Sequence, residues 1–256
     1  MIPWKVTKLK ALPGHRLQVT FADGLSGIVD LSKDKFDGVL APLADEPYFA
    51  QARLEDGVVT WPNGAEIAPD AIRIDPRPPH VFGAGHRPGA LNVVGNDSFA
   101  VRIGATVAFG APIVILTTDA EQAERLRAQL AVVGYDDVRG YASPDPGRGE
   151  EALQIEQVDA RAAAARSAEG AVLLDVREIA EWEGGHAPGA IHIPYENVRE
   201  RTHELPVGRQ IVTYCASGIR SSLAASFLEV DGRDVANMRG GFTAWRNAKL
   251  PVSHDK

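Results

Sequence analysis

The run IVTYCASGIRSSLAASFLE, residues 211–229, passes from a short apolar, β-branched stretch through a loop holding Cys215, Ser217 and Gly218 into a helical pattern that opens near Arg220. An apolar run of that length reads as a strand buried on both faces of a parallel sheet. Ligands of such sheets gather at the carboxyl ends of the strands, and Cys215 stands at one. The backbone N–H groups of Ala216, Ser217, Gly218, Ile219 and Arg220 can turn inward about a single point. Gly218 relieves the steric cost of the curl, and the start of the helix adds roughly half a positive charge. A thiolate at that point is stabilised and nucleophilic.

A lone cysteine at the end of a core strand is ordinarily a small hydrophobe. Two neighbours argue otherwise. The Ala-Ser-Gly stretch is not what strand packing asks for, and Arg220 at the helix start opposes the helix dipole. Its charge points to an anion in front of it.

Around this run, strands at 171–175, 191–193, 210–214 and 235–238 alternate with helices at 178–183, 195–203, an amphipathic 221–229, and 242–248. A lead-in over 154–167 adds a short strand and an Ala-rich helix. The alternation predicts an α/β fold of βαβ units with right-handed crossovers and a parallel sheet between helices. The pattern also occurs earlier in the chain. Asp75-Pro-Arg77 returns as Asp175-Val-Arg177, and Gly85-His86-Arg-Pro88-Gly89-Ala90 returns as Gly185-His186-Ala-Pro188-Gly189-Ala190, both one hundred residues on. Two copies of one domain are expected, separated by a Pro/Gly linker at 143–149. The first copy is truncated, and its loop reads TTDAEQ, with Thr117 at the place of Cys215 and Gln122 at that of Arg220. Neither nucleophile nor cation remains there, and Asp119 and Glu121 repel anions.

The first 74 residues differ in texture: they hold all but two of the lysines, and short alternating runs at 6–9, 17–21 and 27–31 are punctuated by Pro13-Gly14 and Asp23-Gly24. This predicts a small α+β module with hairpins, a helix near 44–52 and a final strand at 57–61. It resembles a bacterial family of unknown function, chiefly through WPNGAEIAPD at 61–70. Trp61 reads as a packing residue at a strand end.

Composition narrows the function classes. The chain has 256 residues, 45% of them apolar and 24% charged, with a net charge of −7. None of its three segments is basic, so binding to nucleic acid through phosphate neutralisation is not expected. The weakly polar stretch at 105–116 is interrupted by Gly110 and Pro112 and falls short of a bilayer span. Without a secretory signal pattern at its start, the chain is expected in the cytoplasm. A single cysteine permits neither an internal disulfide nor a thiolate metal cluster.

The ordered motifs LLDVRE, EGGHAPGAIHIP, IVTYCASGIRSS and MRGGFTAWRNAKLPV strongly resemble the rhodanese family of sulfurtransferases over residues 154–253. The resemblance implies two rhodanese-like domains: a truncated, catalytically silent one at 75–145 and an active one at 151–256, after the module at 1–74. It implies a persulfide-forming Cys215 in a six-residue loop, with Ala216, Ser217, Gly218, Ile219 and Arg220 binding the donor, and no cofactor. Sulfur would pass from thiosulfate or a persulfide donor to cyanide or a thiol. The Cys-x4-Arg loop is one residue tighter than the Cys-x5-Arg phosphate cradle of cysteine phosphatases, which suits a sulfane sulfur better. A non-catalytic persulfide carrier or interaction module, recruiting a protein partner through the N-terminal domain, is the alternative.

Because His86 recurs in the copy without cysteine, His186 reads as structural support, as do Asp175 and Arg177 at their strand end. His186, His192 and Glu183 are spaced too irregularly for a metal site. Trp182 and Trp245 read as core residues.

Overall fold

The computed structural model describes residues 6–21, 26–32, 34, 36, 38–55, 58–67, 71–145 and 151–254. The Asp23-Gly24 turn, the end of the WPNGAEIAPD segment and the linker beyond residue 145 lie outside them. The chain forms two compact units, Met1–Ala71 and Ile72–Lys256.

In the first unit, β1 (Val6–Leu12), β2 (Arg16–Phe21) and β3 (Ser26–Asp30) make an antiparallel meander. The expected helix over 44–52 is a single turn, α1 (Glu46–Phe49), preceded by a 3-10 segment, Gly38–Ala44. Asp45 caps its start by accepting the Tyr48 amide, and the chain must already enter β4 (Arg53–Glu55) four residues after its end. The strand expected to be final, β5 (Val58–Thr60), is followed by β6 (Glu66–Ile67). Asn63-Gly64 closes that hairpin: Gly64 takes φ 79°, and the Trp61 amide donates to the Ala65 carbonyl at 2.8 Å. Trp61 itself is fully buried, its indole N–H donating to the Phe49 carbonyl at 2.8 Å.

The second unit holds two parallel sheets. Its chain order is β7 (Ile72–Asp75), α2 (Pro79–Ala84), β8 (Ala90–Asn92), α3 (Phe99–Thr106), β9 (Ile113–Leu116), α4 (Ala120–Val132) and β10 (Val138–Ala142). Then come β11 (Glu156–Val158), α5 (Ala160–Ala168), β12 (Val172–Asp175), α6 (Ile179–Glu183), β13 (Ile191–His192), α7 (Val198–Arg201), β14 (Ile211–Tyr214), α8 (Ile219–Val230), β15 (Val235–Met238) and α9 (Gly241–Asn247). The helix expected over 195–203 is broken, with 3-10 turns at Tyr195–Asn197 and Thr202–Glu204 on either side of α7. The strand orders are β10-β9-β7-β8 and β11-β15-β14-β12-β13. Both therefore run fourth, third, first, second along the repeated unit, with β11 added at one edge of the second sheet.

The repeated motifs take the same geometry. Arg77 grips Asp75 and donates to the Gly85 carbonyl at 3.0 Å; Arg177 grips Asp175 and donates to the Gly185 carbonyl at 2.9 Å. His86 bridges to Leu153 as His186 does to Ser253.

The two sheets share one hydrophobic cluster, and α8 lies at its centre. The sequence pattern suggested an amphipathic helix there, but every residue of 221–228 is buried. One side rests on β14 and β15, and the other meets β8 of the first sheet. The serines on that side find partners across the junction. Ser222 Oγ donates to Asn92 Oδ1 at 2.6 Å, and Ser226 Oγ accepts the Asn92 amide at 3.1 Å. Ser222→Ala strips a fully buried amide oxygen of its donor and is expected to destabilise the protein by about 1–3 kcal/mol in urea unfolding. An unchanged midpoint would show that this bond does not join the sheets.

Candidate functional site

Tyr214 ends β14 and Gly218, at φ 96°, opens α8, so the segment between them must curl within a few residues. Three loop carbonyls are tied to the scaffold behind it. The Cys215 and Ala216 carbonyls accept the amides of Phe242 and Thr243 at 2.7 and 3.1 Å, and the Gly218 carbonyl accepts Asn237 Nδ2 at 3.2 Å. The close approach requires glycine at 241, where a Cβ would overlap the Cys215 carbonyl oxygen. With the carbonyls held on that side, the Gly218 N–H faces the sulfur and donates to Cys215 Sγ at 3.2 Å.

It is the one loop amide recorded at the sulfur among the described residues. A second donor comes from a residue the sequence reading passed over. Ser221 Oγ lies 3.6 Å from Sγ and 2.7 Å from Asn237 Oδ1. Asn237 is fully buried and also binds Gln157 Oε1 at 2.9 Å, so a polar chain runs from β11 through β15 to the cysteine. Ser217, expected among the donor-binding residues of the loop, is exposed. Cys215 is only 1% exposed and packs within the shared cluster, so its sulfur combines apolar walls with these donors.

Arg220 faces an anion, and that anion belongs to the chain. Its guanidinium makes a two-pronged pair with Glu181 at 2.7 and 2.8 Å, with Glu178 3.7 Å away. The pairing holds the Glu181 carboxyl below its ordinary range and raises Arg220 above its own. The charge that looked available for a ligand is thus largely matched within α6 and its cap. In the first sheet the corresponding loop is closed by its own groups: Asp119 accepts the amides of Glu121 and Gln122, and Thr117 Oγ1 donates to Gln122 Oε1 at 2.7 Å.

Arg177 and Asp175 lie beside the loop: Arg177 lines a cavity with Ala216, and Asp175 is in register with Tyr214, the residue before Cys215. Asp175 is fully buried and held by Arg177 at 2.6–3.0 Å, while the guanidinium lies over the Phe242 ring, 4.2 Å from its centre. Burial pushes the neighbouring Tyr214 hydroxyl, which accepts the Ala187 amide, well above the ordinary tyrosine value. His186 stacks on Trp182 with ring centres 3.4 Å apart. Trp182 is half-buried, whereas Trp245 is in the core. A cavity of about 400 Å³ brings Arg177 and Ala216 together with Phe242, Thr243, Arg246 and Asn247. Among the described residues no helix is long and apolar enough to cross a membrane.

Comparison with known proteins matches residues 159–248 to a family model described as a rhodanese-like domain, and residues 6–73 to one described as a protein of unknown function, DUF2442. A protein of Allochromatium vinosum named sulfurtransferase is 36% identical over 101 residues, covering 38% of this chain and 94% of that protein. The thiosulfate sulfurtransferase GlpE of Pseudomonas syringae pv. syringae is 31% identical over 94 residues, 36% of this chain and 89% of that protein. The Bacillus subtilis protein YqhL is 40% identical over 76 residues, 29% of this chain, and the match spans 60% of its own length.

Proposed function

The chain belongs to the rhodanese family, and from that premise and the setting of Cys215 we propose that it is a sulfurtransferase carrying sulfane sulfur on Cys215 from thiosulfate or a persulfide donor to cyanide or a thiol. The observation that carries this reading is the Gly218 N–H donating to Sγ, with the Ser221 hydroxyl behind it. We assign residues 151–256 the active domain and 75–145 a silent, truncated copy of it.

In the first half-reaction the Cys215 thiolate attacks the outer sulfur of thiosulfate. The sulfur–sulfur bond breaks, its electron pair leaves with sulfite, and the enzyme holds Cys–S–S⁻. Cyanide then attacks the outer sulfur, thiocyanate leaves, and the electron pair returns to Sγ as the thiolate. Charge and atoms balance in both steps, so no external redox partner is needed. Ser221 has one proton and two acceptors; its hydroxyl can follow the charge, moving from Asn237 Oδ1 toward sulfur when the thiolate forms. Asp175, Arg177 and His186 act on this chemistry by holding the turns around the loop.

Burial of Cys215 at 1% exposure favours a second reading, a persulfide carrier that passes its sulfur to one docked partner. Turnover separates the two. Repeated thiocyanate release from thiosulfate and cyanide is expected, with intact mass showing one added sulfur atom per chain in the absence of acceptor. A single stoichiometric persulfide without turnover would favour the carrier, and no persulfide from any sulfane donor would end both.

A further inference from the structure

The cavity that touches the cysteine loop is lined by Arg177, Ala216, Phe242, Thr243, Arg246 and Asn247: two guanidinium groups and no carboxylate, in a chain whose net charge is −7. We propose that this cavity seats the carboxylate of the sulfur acceptor, so that the acceptor is a small organic thiol carrying a carboxylate. The inference rests on the sulfurtransferase reading for the thiol, and on the following geometry for the carboxylate.

Arg177 is only 4% exposed, and its bonds leave one corner of the guanidinium open. Nε and Nη2 are committed to Asp175 and to the Gly185 carbonyl. Nη1 has no hydrogen-bond partner among the described residues and is the nitrogen left for the cavity that Arg177 borders. The repeat shows which group suits that corner. Arg77 commits Nε and Nη2 to Asp75 and the Gly85 carbonyl in the same way, and its Nη1 faces the Asp145 carboxylate at 4.0 Å. The first copy thus carries a carboxylate of its own at the place where the second has a cavity. A second cation stands at that cavity. Arg246, exposed on α9, has no ion pair or side-chain hydrogen bond among the described residues. Charge-assisted donors converging from two arginines favour an ionised, planar acceptor. The volume, about 400 Å³, falls in the range of about 300–1,000 Å³ that holds small organic ligands, whereas cyanide would leave most of it empty. Ala216 forms part of the wall, so a molecule anchored there stands at the residue next to Cys215. Its thiolate then attacks the outer sulfur of Cys–S–S⁻, the sulfur–sulfur bond breaks with its electron pair returning to Sγ, and the acceptor leaves as a persulfide anion.

The test uses the full chain, loaded with one sulfur from thiosulfate, and its Arg246→Gln, Arg246→Lys and Thr243→Asp variants. Consumption of the persulfide is timed with mercaptosuccinate and with its dimethyl ester, the same thiol without the carboxylate charges. The ratio of the two rates cancels differences in loading and in folding. Arg246→Gln is expected to lower that ratio about tenfold, the size of one exposed charge-assisted contact, and Arg246→Lys to restore most of it. Thr243→Asp sets a carboxylate of the chain in the cavity, as Asp145 stands beside Arg77, and should lower the ratio likewise. A second readout needs no sulfur transfer. Succinate, followed by ligand-detected NMR, should bind the wild-type chain and bind Arg246→Gln and Thr243→Asp about tenfold more weakly. A rate ratio that is the same in all four chains would overturn the proposal while leaving sulfur transfer standing. If no sulfane donor loads Cys215, the sulfurtransferase reading fails, and succinate alone decides: binding weakened by both variants keeps the carboxylate site, and no binding to the wild-type chain removes it.

Discussion

Replacing Cys215 by serine is expected to bring thiocyanate release to the uncatalysed background, a loss of at least about a thousandfold, in a protein that stays folded. The two side chains differ little in shape, and the partners around Sγ suit an oxygen as well. The Gly218 amide, 3.2 Å from sulfur, keeps an acceptor, so no buried donor is orphaned. The apolar side of the pocket is the only loss, since a hydroxyl amid the shared cluster costs about 1–3 kcal/mol where its remaining bonding capacity goes unmet. Nucleophilicity is another matter. A serine hydroxyl does not ionise near neutrality, and among the described residues the groups hydrogen-bonded at this position are the Gly218 amide and the neutral Ser221 hydroxyl, whose stronger contact is with Asn237 at 2.7 Å. Intact mass after thiosulfate should show one sulfur gained by the wild type and none by Cys215→Ser. Turnover surviving in the variant would remove Cys215 from the mechanism, whatever its surroundings.

Why the strand, the loop and the helix of this site were legible in one dimension follows from short-range physics. Apolar β-branched residues at 211–214, a glycine at 218 and helix-forming residues after it specify their local conformations with little help from the rest of the chain. The register of the repeat announced a shared motif for the same reason, since Asp75 and Asp175 each close the same strand-end grip. What the pattern could not reveal are the effects of bodies packing on one another. The serines of α8 mark a solvent face in an isolated helix, yet Asn92 covers Ser222 and Ser226, 130 residues away for Ser222. Arg220 signalled an anion correctly in kind, but Glu181, 39 residues earlier, supplies it. Ser217 stood nearest the cysteine in the loop, whereas Ser221, one helical turn into α8, reaches the sulfur.

The buried pair of Asp175 and Arg177 should give the largest loss of stability of any single truncation near the site. The Asp175 side chain is 0% exposed and that of Arg177 5%, so Asp175→Ala leaves a buried guanidinium with the Gly185 carbonyl, the faces of Phe242 and Tyr214, and the field of Glu181, whose own charge is taken up by Arg220. Removing one partner of such a pair costs about 3–5 kcal/mol, most of it the stranded charge rather than the lost attraction. The repeat provides an internal control for that argument. Asp75 is equally buried, but the Arg77 side chain is 20% exposed and has a second carboxylate, Asp145, 4.0 Å away. Water and Asp145 can take over part of its charge, so Asp75→Ala is expected to cost clearly less. Removing the charge together with its partner, in Asp175→Ala/Arg177→Met, should recover a large part of the loss, since Met can fill the space over Phe242 without a charge to bury. Urea unfolding of the three variants decides the matter. Equal costs at Asp75 and Asp175, or a double variant no better than the single, would mean that the hydrogen bonds to the turn, and not the stranded charge, set the price. The outcome bears on chemistry as well as stability: Arg177 lines the same cavity as Ala216, so a displaced Arg177 reaches the loop that presents Cys215.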